Sequence, residues 1–227
     1  MPSEKNAPLP PEDARRLAEK ILLYSRRCIT QAAPFMLVPI YALIQRPRPE
    51  PGPLSTYGVH LWYHPATVVE DFRNCRETPL RQLLHVTLHC LLGHLPARPP
   101  EPLSIGLFDD IADWKAAQFA LALDSRFAAS QMPEREYREP LPILLQRLGP
   151  ENPQRKKFRS LVYRCQVRID DHSLWNPKNA RAHQSALDPL SMKQQSGQGE
   201  AEAVFSGAGQ DGDRAPDWGA LLRQMAD

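Results

Sequence analysis

The sequence predicts an α+β fold in which helices dominate and a single small β-sheet accompanies them. Several segments repeat apolar residues at helical spacing, whereas only residues 55–63 are rich in β-branched and aromatic side chains. After about Asn176 the composition shifts towards Gln, Gly, Ser and Ala, which is typical of a flexible linker. We therefore divide the chain into a domain over residues 11–175 and a flexible, disordered tail over residues 176–227 that ends in a short helix.

The first half of the domain is predicted to combine helices with the one strand. Glu12 and Asp13 follow a pair of prolines, and acidic residues there suit the positive end of a helix dipole. The elements predicted here are helices over 11–30 and 34–45, a proline-rich connector over 46–53, a strand over 55–63 and a short helix or turn over 65–74.

The central helix is predicted over residues 78–93. Thr78 can cap its start, Pro79 suits its first position, and Gly93 can end it in a left-handed conformation. Further helices are predicted over 109–124, 140–148 and 154–168. In the tail, residues 191–213 form the linker, and Asp217 is placed to cap the terminal helix.

Charge and composition exclude several classes of function. The chain has 28 basic and 26 acidic residues, a net charge of +2, so we expect neither a nucleic-acid partner nor a membrane partner. Its four cysteines are dispersed, as in proteins with reduced thiols. The N-terminus lacks the pattern of a signal peptide, and the longest apolar stretch is too short to span a bilayer. We therefore predict a cytoplasmic protein.

Three histidines, two on the central helix and one just after it, form the candidate metal site. His85 and His89 are four residues apart, so on a helix both imidazoles project from one side and can reach one Zn²⁺. His94 follows Gly93, where a turn could bring it back towards the metal. The alternative is that His85 and His89 are ordinary, partly buried residues bonded to carbonyl groups.

The helix predicted after the central one offers carboxylates to the same site. It begins with Asp109, Asp110 and Asp113, and the last two share a face. Either could bind the metal or accept a hydrogen bond from a histidine. Asp113 therefore competes with His94 for the place of third ligand.

Four blocks of sequence resemble a family of bacterial predicted metallopeptidases, in which a metallopeptidase domain is usually followed by a von Willebrand factor A-like domain. Residues 56–65 read TYGVHLWYHP, residues 85–94 read HVTLHCLLGH, residues 111–118 read IADWKAAQ and residues 170–175 read DDHSLW. The resemblance covers residues 34–124 best. It implies a zincin-like domain that holds Zn²⁺ on His85, His89 and either His94 or Asp113.

Two departures from the family pattern change what the resemblance implies. Val86 stands where the catalytic glutamate of H-E-x-x-H is expected, and Gln118 replaces an asparagine. That glutamate takes the proton of the zinc-bound water, which valine cannot do. The sequence therefore predicts a metal-binding protein with weak or no peptidase activity, and we assign no catalytic residue.

Three functions remain open at this point. The first is a metal-binding pseudoenzyme that adds a peptide or protein partner as an extra strand to residues 56–63, although that segment could equally be a plain sheet edge. The second is an active hydrolase with an aspartate as base. The third is a scaffold without metal. By analogy with the family, an AAA+ ATPase or a von Willebrand factor A-like protein is the expected partner.

Overall fold

A computed structural model describes residues 9–95, 105–127, 137–149, 152–175 and 216–226. It is dominated by helices and contains a three-stranded sheet, which confirms the predicted α+β class. The helices are α1 (Pro11–Ala32), α2 (Leu37–Ala42), α3 (Pro65–Asn74), α4 (Thr78–Leu91), α5 (Ile105–Leu123), α6 (Leu141–Arg147), α7 (Gln154–Arg164) and α8 (Trp218–Ala226). The strands are β1 (Ile44–Pro47), β2 (Ser55–Thr56) and β3 (His60–Tyr63), and short 3₁₀ turns cover Pro34–Met36, Ser125–Phe127 and His172–Trp175.

The sheet differs from the prediction in its first strand. The helix predicted over 34–45 ends at Ala42, and Ile44 begins β1, which pairs in parallel with β3. Pro47 lies at the end of this edge strand, where a missing N–H is tolerated. Pairing between Ile44 and His60 is a long-range contact, so the local apolar pattern could not reveal it.

The strand predicted over 55–63 is in fact two strands with a turn between them. Gly58 has a φ of +101°, a conformation that favours glycine, and β2 folds back antiparallel to β3. The sheet order is β1-β3-β2, so β3 is flanked on both sides. The hypothesis that this segment offers a free edge to a peptide is therefore wrong for β3.

Two hydrophobic clusters make up the core, and α5 contributes to both. Ala116 and Ala120 of α5 pack into the first cluster, together with residues of α1 to α4 and of the sheet. Ile111 and Trp114 pack into the second cluster, with α6 and α7. Val86 lies in the first cluster and is fully buried.

The C-terminal helix packs against the domain. Asp217 accepts a hydrogen bond from the Ala220 amide at 2.8 Å, which confirms the predicted cap. Trp218 Nε1 donates to the Gly58 carbonyl at 2.9 Å, and Trp218 and Leu221 pack on the first cluster. The linker predicted over 191–213 lies outside the described residues. Among the residues that the structure describes, no helix is long and apolar enough to cross a membrane.

Candidate metal centre

Helix α4 places two imidazoles side by side in the interior. Thr78, which was predicted as the cap, is instead the first helical residue and follows the cap Glu77, and Gly93 comes after the end of the helix with a φ of +69°. His85 and His89 are both buried, and their ring centroids lie 4.5 Å apart, as the spacing of four residues predicts. The helix therefore presents both rings to one point.

Helix α5 brings a carboxylate to that point. It starts at Ile105 in the described residues, earlier than predicted, and Asp113 lies on its buried side. Asp113 Oδ1 lies 3.2 Å from His85 Nε2 and 3.3 Å from His89 Nε2. One oxygen therefore faces both imidazoles.

A loop after α7 adds a second carboxylate, from Asp170. Asp171 holds this loop beside β2: its amide donates to the Leu54 carbonyl, and its carboxylate accepts from the buried Arg48 at 3.0 Å. Asp170 Oδ1 then lies 3.5 Å from His85 Nε2. Helix α7 was predicted to continue through this region to residue 168, but it ends at Arg164, and the chain turns sharply through Gln166.

These four side chains could hold a metal ion. One ligand atom from each of His85, His89, Asp113 and Asp170 lies within 4.8 Å of the others, and all four residues are buried. A tetrahedral zinc site with bonds of about 2.0–2.1 Å separates its ligand atoms by about 3.3–3.4 Å. The histidine–carboxylate distances of 3.2, 3.3 and 3.5 Å come close to that value.

Two polar atoms of this group lack a hydrogen bond. Within the described part of the chain, His89 Nε2 and Asp170 Oδ2 are buried and make none, although they lie 3.9 Å apart. His89 Nε2 also lies close to Asp113 Oδ1, but without the geometry of a hydrogen bond. Because unpaired buried polar atoms are costly, their presence together favours a missing ligand between them.

Two further atoms of these residues make hydrogen bonds to side chains outside the group. His89 Nδ1 shares a hydrogen bond of 2.8 Å with His94 Nδ1, and Asp113 Oδ2 accepts one of 3.2 Å from Arg168 Nε. Such outer hydrogen bonds commonly orient the ligands of metal sites.

A third histidine connects the two carboxylates. His172 Nε2 lies 3.0 Å from Asp113 Oδ1 and 3.1 Å from Asp170 Oδ1. Trp175 stacks on His172 with the ring centroids 3.6 Å apart, and its ring also meets the His89 ring edge-on. The tryptophan therefore closes this side of the group with an apolar surface.

The electrostatics of the group favour ionised carboxylates at Asp113 and Asp170, neutral rings at His89 and His94, and a charged ring at His172. Burial would raise the pKa of Asp113, but its contacts with His172 and His85 outweigh burial and hold it well below the ordinary value. Burial lowers the pKa of His89, and it lowers the pKa of His94 to about 3. Burial also opposes charge on His172, yet Asp170 and the neighbouring carboxylates raise its pKa to about 12.

The structure brings together three of the four residues predicted as ligands. His85, His89 and Asp113 meet, whereas His94 contacts His89 and lies outside the group of four. Sequence reasoning missed Asp170 as a member, although the DDHSLW block that contains it had been noticed. Asp170 lies in a loop about 80 residues further along the chain than these histidines. Neither helical spacing nor any short motif therefore links it to them.

No family model, curated protein or solved structure matches the chain.

Proposed function

We propose that this protein binds Zn²⁺ through His85, His89, Asp113 and Asp170, and that the metal stabilises the domain. The proposal rests on the burial of these four residues and on the proximity of their ligand atoms, which all lie within 4.8 Å of one another. Two imidazoles and two carboxylates are donor groups that suit zinc. The metal would connect three separate parts of the chain: α4, α5 and the loop after α7.

The number of ligands favours a structural site over a catalytic one. Catalytic zinc usually has three protein ligands and keeps one position for water, whereas structural zinc has four protein ligands. Here four protein groups surround the candidate position, and none of them is more than slightly exposed. Zinc bound in this way would stabilise the fold without offering a place to a substrate.

Val86 supports the same interpretation. It is fully buried in the first hydrophobic cluster, so the position of the expected catalytic glutamate belongs to the core. The nearby aspartates lie outside the group of four and face other side chains: Asp110 faces Arg159, and Asp109 faces Arg168. These contacts argue against the alternative of an active hydrolase with an aspartate base.

The kinship with zinc metallopeptidases rests on the sequence blocks. In this interpretation the protein is a zincin-like pseudoenzyme that has retained two histidines. A fourth protein ligand takes the coordination position that a catalytic site keeps for water. An AAA+ ATPase or a von Willebrand factor A-like protein as partner stays a prediction from the same resemblance.

Metal analysis tests the proposal. The full chain is purified, incubated with Zn²⁺, desalted and analysed by plasma mass spectrometry; we expect about one zinc per chain. His85→Ala and Asp170→Asn should each remove most of that metal. Circular dichroism shows whether each variant is folded, and the isosteric Asp170→Asn change keeps the test valid if His85→Ala unfolds the chain.

His64→Asn is the matched control. His64 lies away from the metal group and caps α3 by accepting from the Thr67 amide, a role that asparagine also fills. It should leave the zinc content unchanged. A wild-type chain that retains no zinc, or zinc that is unaffected by both site variants, would overturn the proposal.

A further inference from the structure

An open cleft lies beside the metal group, on the other side of Arg168. It has a volume of about 750 Å³ and is bounded by the start of α4, by α7 and by the loop that follows α7. This volume is in the range of sites that bind small molecules or short peptide segments. Its lining includes three arginines, Arg81, Arg159 and Arg168, and a single carboxylate, that of Asp110.

Each of the three arginines has side-chain donors that no described residue accepts from. Arg81 donates through Nε to the Arg126 carbonyl, and Arg159 donates through Nε to Asp110. In the described part of the chain, neither makes a further hydrogen bond through its Nη groups. Arg168 donates to Asp113 and Asp109, and its side chain is 51% exposed.

The ion pair between Arg159 and Asp110 can give way to a ligand at low cost. The Arg159 side chain is 58% exposed, and exposed ion pairs contribute little because water screens them. Burial raises the pKa of Asp110, so this carboxylate is also poorly stabilised in its charged form. Among the described residues, Arg81 pairs with no carboxylate, whereas Arg159 pairs with Asp110 and Arg168 pairs with Asp109 and Asp113, so an anion would be drawn first to Arg81 and to the exposed Arg159.

Apolar side chains complete the cleft. Val162 and Ile169 line it beside the arginines, and Tyr163 borders it with an exposed ring. The lining is therefore mostly polar, with a smaller apolar part against which the non-polar portion of a ligand can pack.

We infer that this cleft binds an anion with several carboxylate or phosphate groups, held by Arg81, Arg159 and Arg168. A guanidinium presents paired donors that match the two oxygens of a carboxylate or phosphate, so three of them select a multiply charged anion. The site differs from the metal group in residues and in chemistry. Its occupation does not require that the proposed zinc is bound.

Calorimetric titration of the full chain tests the inference, with tripolyphosphate as one probe and a triglutamate peptide as the other, at low ionic strength. We expect saturable binding of one ligand per chain for at least one probe, weakening as salt is added. Binding of tripolyphosphate alone would identify a phosphate ligand, and binding of the peptide would identify a carboxylate ligand. Either result supports the anion site.

Variants locate the binding. Arg159→Ala and Arg81→Ala should each weaken the affinity at least about tenfold, because each removes a charged hydrogen-bond donor. Arg73→Ala, an exposed arginine on α3 outside the cleft, should change the affinity less than about twofold. No saturable binding of either probe, or an equal loss in Arg73→Ala, would overturn the inference. Zinc content measured on the same variants should be unchanged, so the two proposals fail separately.

Discussion

Asp110 and Asp113 lie three residues apart on α5, yet they belong to opposite environments. Asp113 is fully buried and faces His85, His89 and His172. Asp110 faces the cleft and pairs with Arg159. The sequence placed both on one face of a helix, and it treated them as equivalent candidates for the metal. The neighbours on α4 and α7, rather than the spacing, make them different.

Their ionisation shows the same difference. The imidazoles around Asp113 hold its pKa well below the ordinary value despite complete burial, whereas burial dominates at Asp110 and raises its pKa. A fully buried carboxylate that is still ionised needs several cationic or donor partners. The surroundings of a carboxylate therefore identify a metal ligand better than its position in a helix does.

The largest expected effect comes from removing the charge of each aspartate in turn. Asp113→Asn should lower the zinc affinity by at least about 100-fold, because even outer hydrogen bonds of metal sites are worth about 10–100-fold. Asp110→Asn should keep the affinity within about threefold of the wild type. Competition with a chromogenic chelator measures both. Equal losses in the two variants would remove the distinction between the environments.

Removing the metal should lower the stability of the protein, and the size of this loss should differ between variants of the two regions. If zinc is present at about 100 times its dissociation constant, it should add about 2.7 kcal/mol to the free energy of unfolding. For a chain of this size that corresponds to a melting temperature about 5–11 °C higher than with chelator. Asp110→Asn should show the same difference between metal-bound and metal-free protein, whereas Asp113→Asn should show little. Thermal unfolding followed by circular dichroism gives both values.

The sequence predicted the α4 half of the site well and the rest poorly. His85 and His89 follow from helical periodicity, because neighbours at four residues always share a face. Asp113 could be proposed but not chosen over His94. Asp170 depends on the contact between Asp171 and Arg48, which lie 123 residues apart. Contacts over such distances leave no local pattern.

The same limit explains the errors in the fold. Helices α1 and α3 were predicted closely because the prolines at their starts are local signals. Strand β1 was predicted as the end of a helix because its parallel pairing with β3 comes from distant residues. Gly58 carried the information for the turn before β3, but glycine in a strand can also mark a bulge or a close contact.

Replacing His94, in the buried region, should have a smaller effect on the zinc affinity. We propose that, when His89 binds zinc through Nε2, its Nδ1 carries the proton and donates it to His94, which is neutral because burial lowers its pKa to about 3. His94→Leu should therefore weaken zinc binding about 10–100-fold while the content at saturation stays at one per chain. His94→Gln keeps an acceptor and should restore part of the affinity. Loss of all metal in His94→Gln would instead make His94 a ligand.

Arg168 belongs to both regions, and its replacement should have the smallest effect on the metal. It donates to Asp113 Oδ2 and also lines the cleft, but its side chain is half exposed and the ion pair is screened. Arg168→Gln retains a donor for Asp113, so the zinc affinity should change less than about tenfold. The affinity for tripolyphosphate or triglutamate should fall at least as far as in Arg159→Ala. Parallel titrations with zinc and with the anions measure the two changes on one protein. An equal fall in both affinities would mean that the buried group and the cleft act as a single site. Asp110 and Asp113 would then be two parts of that one site rather than members of separate sites.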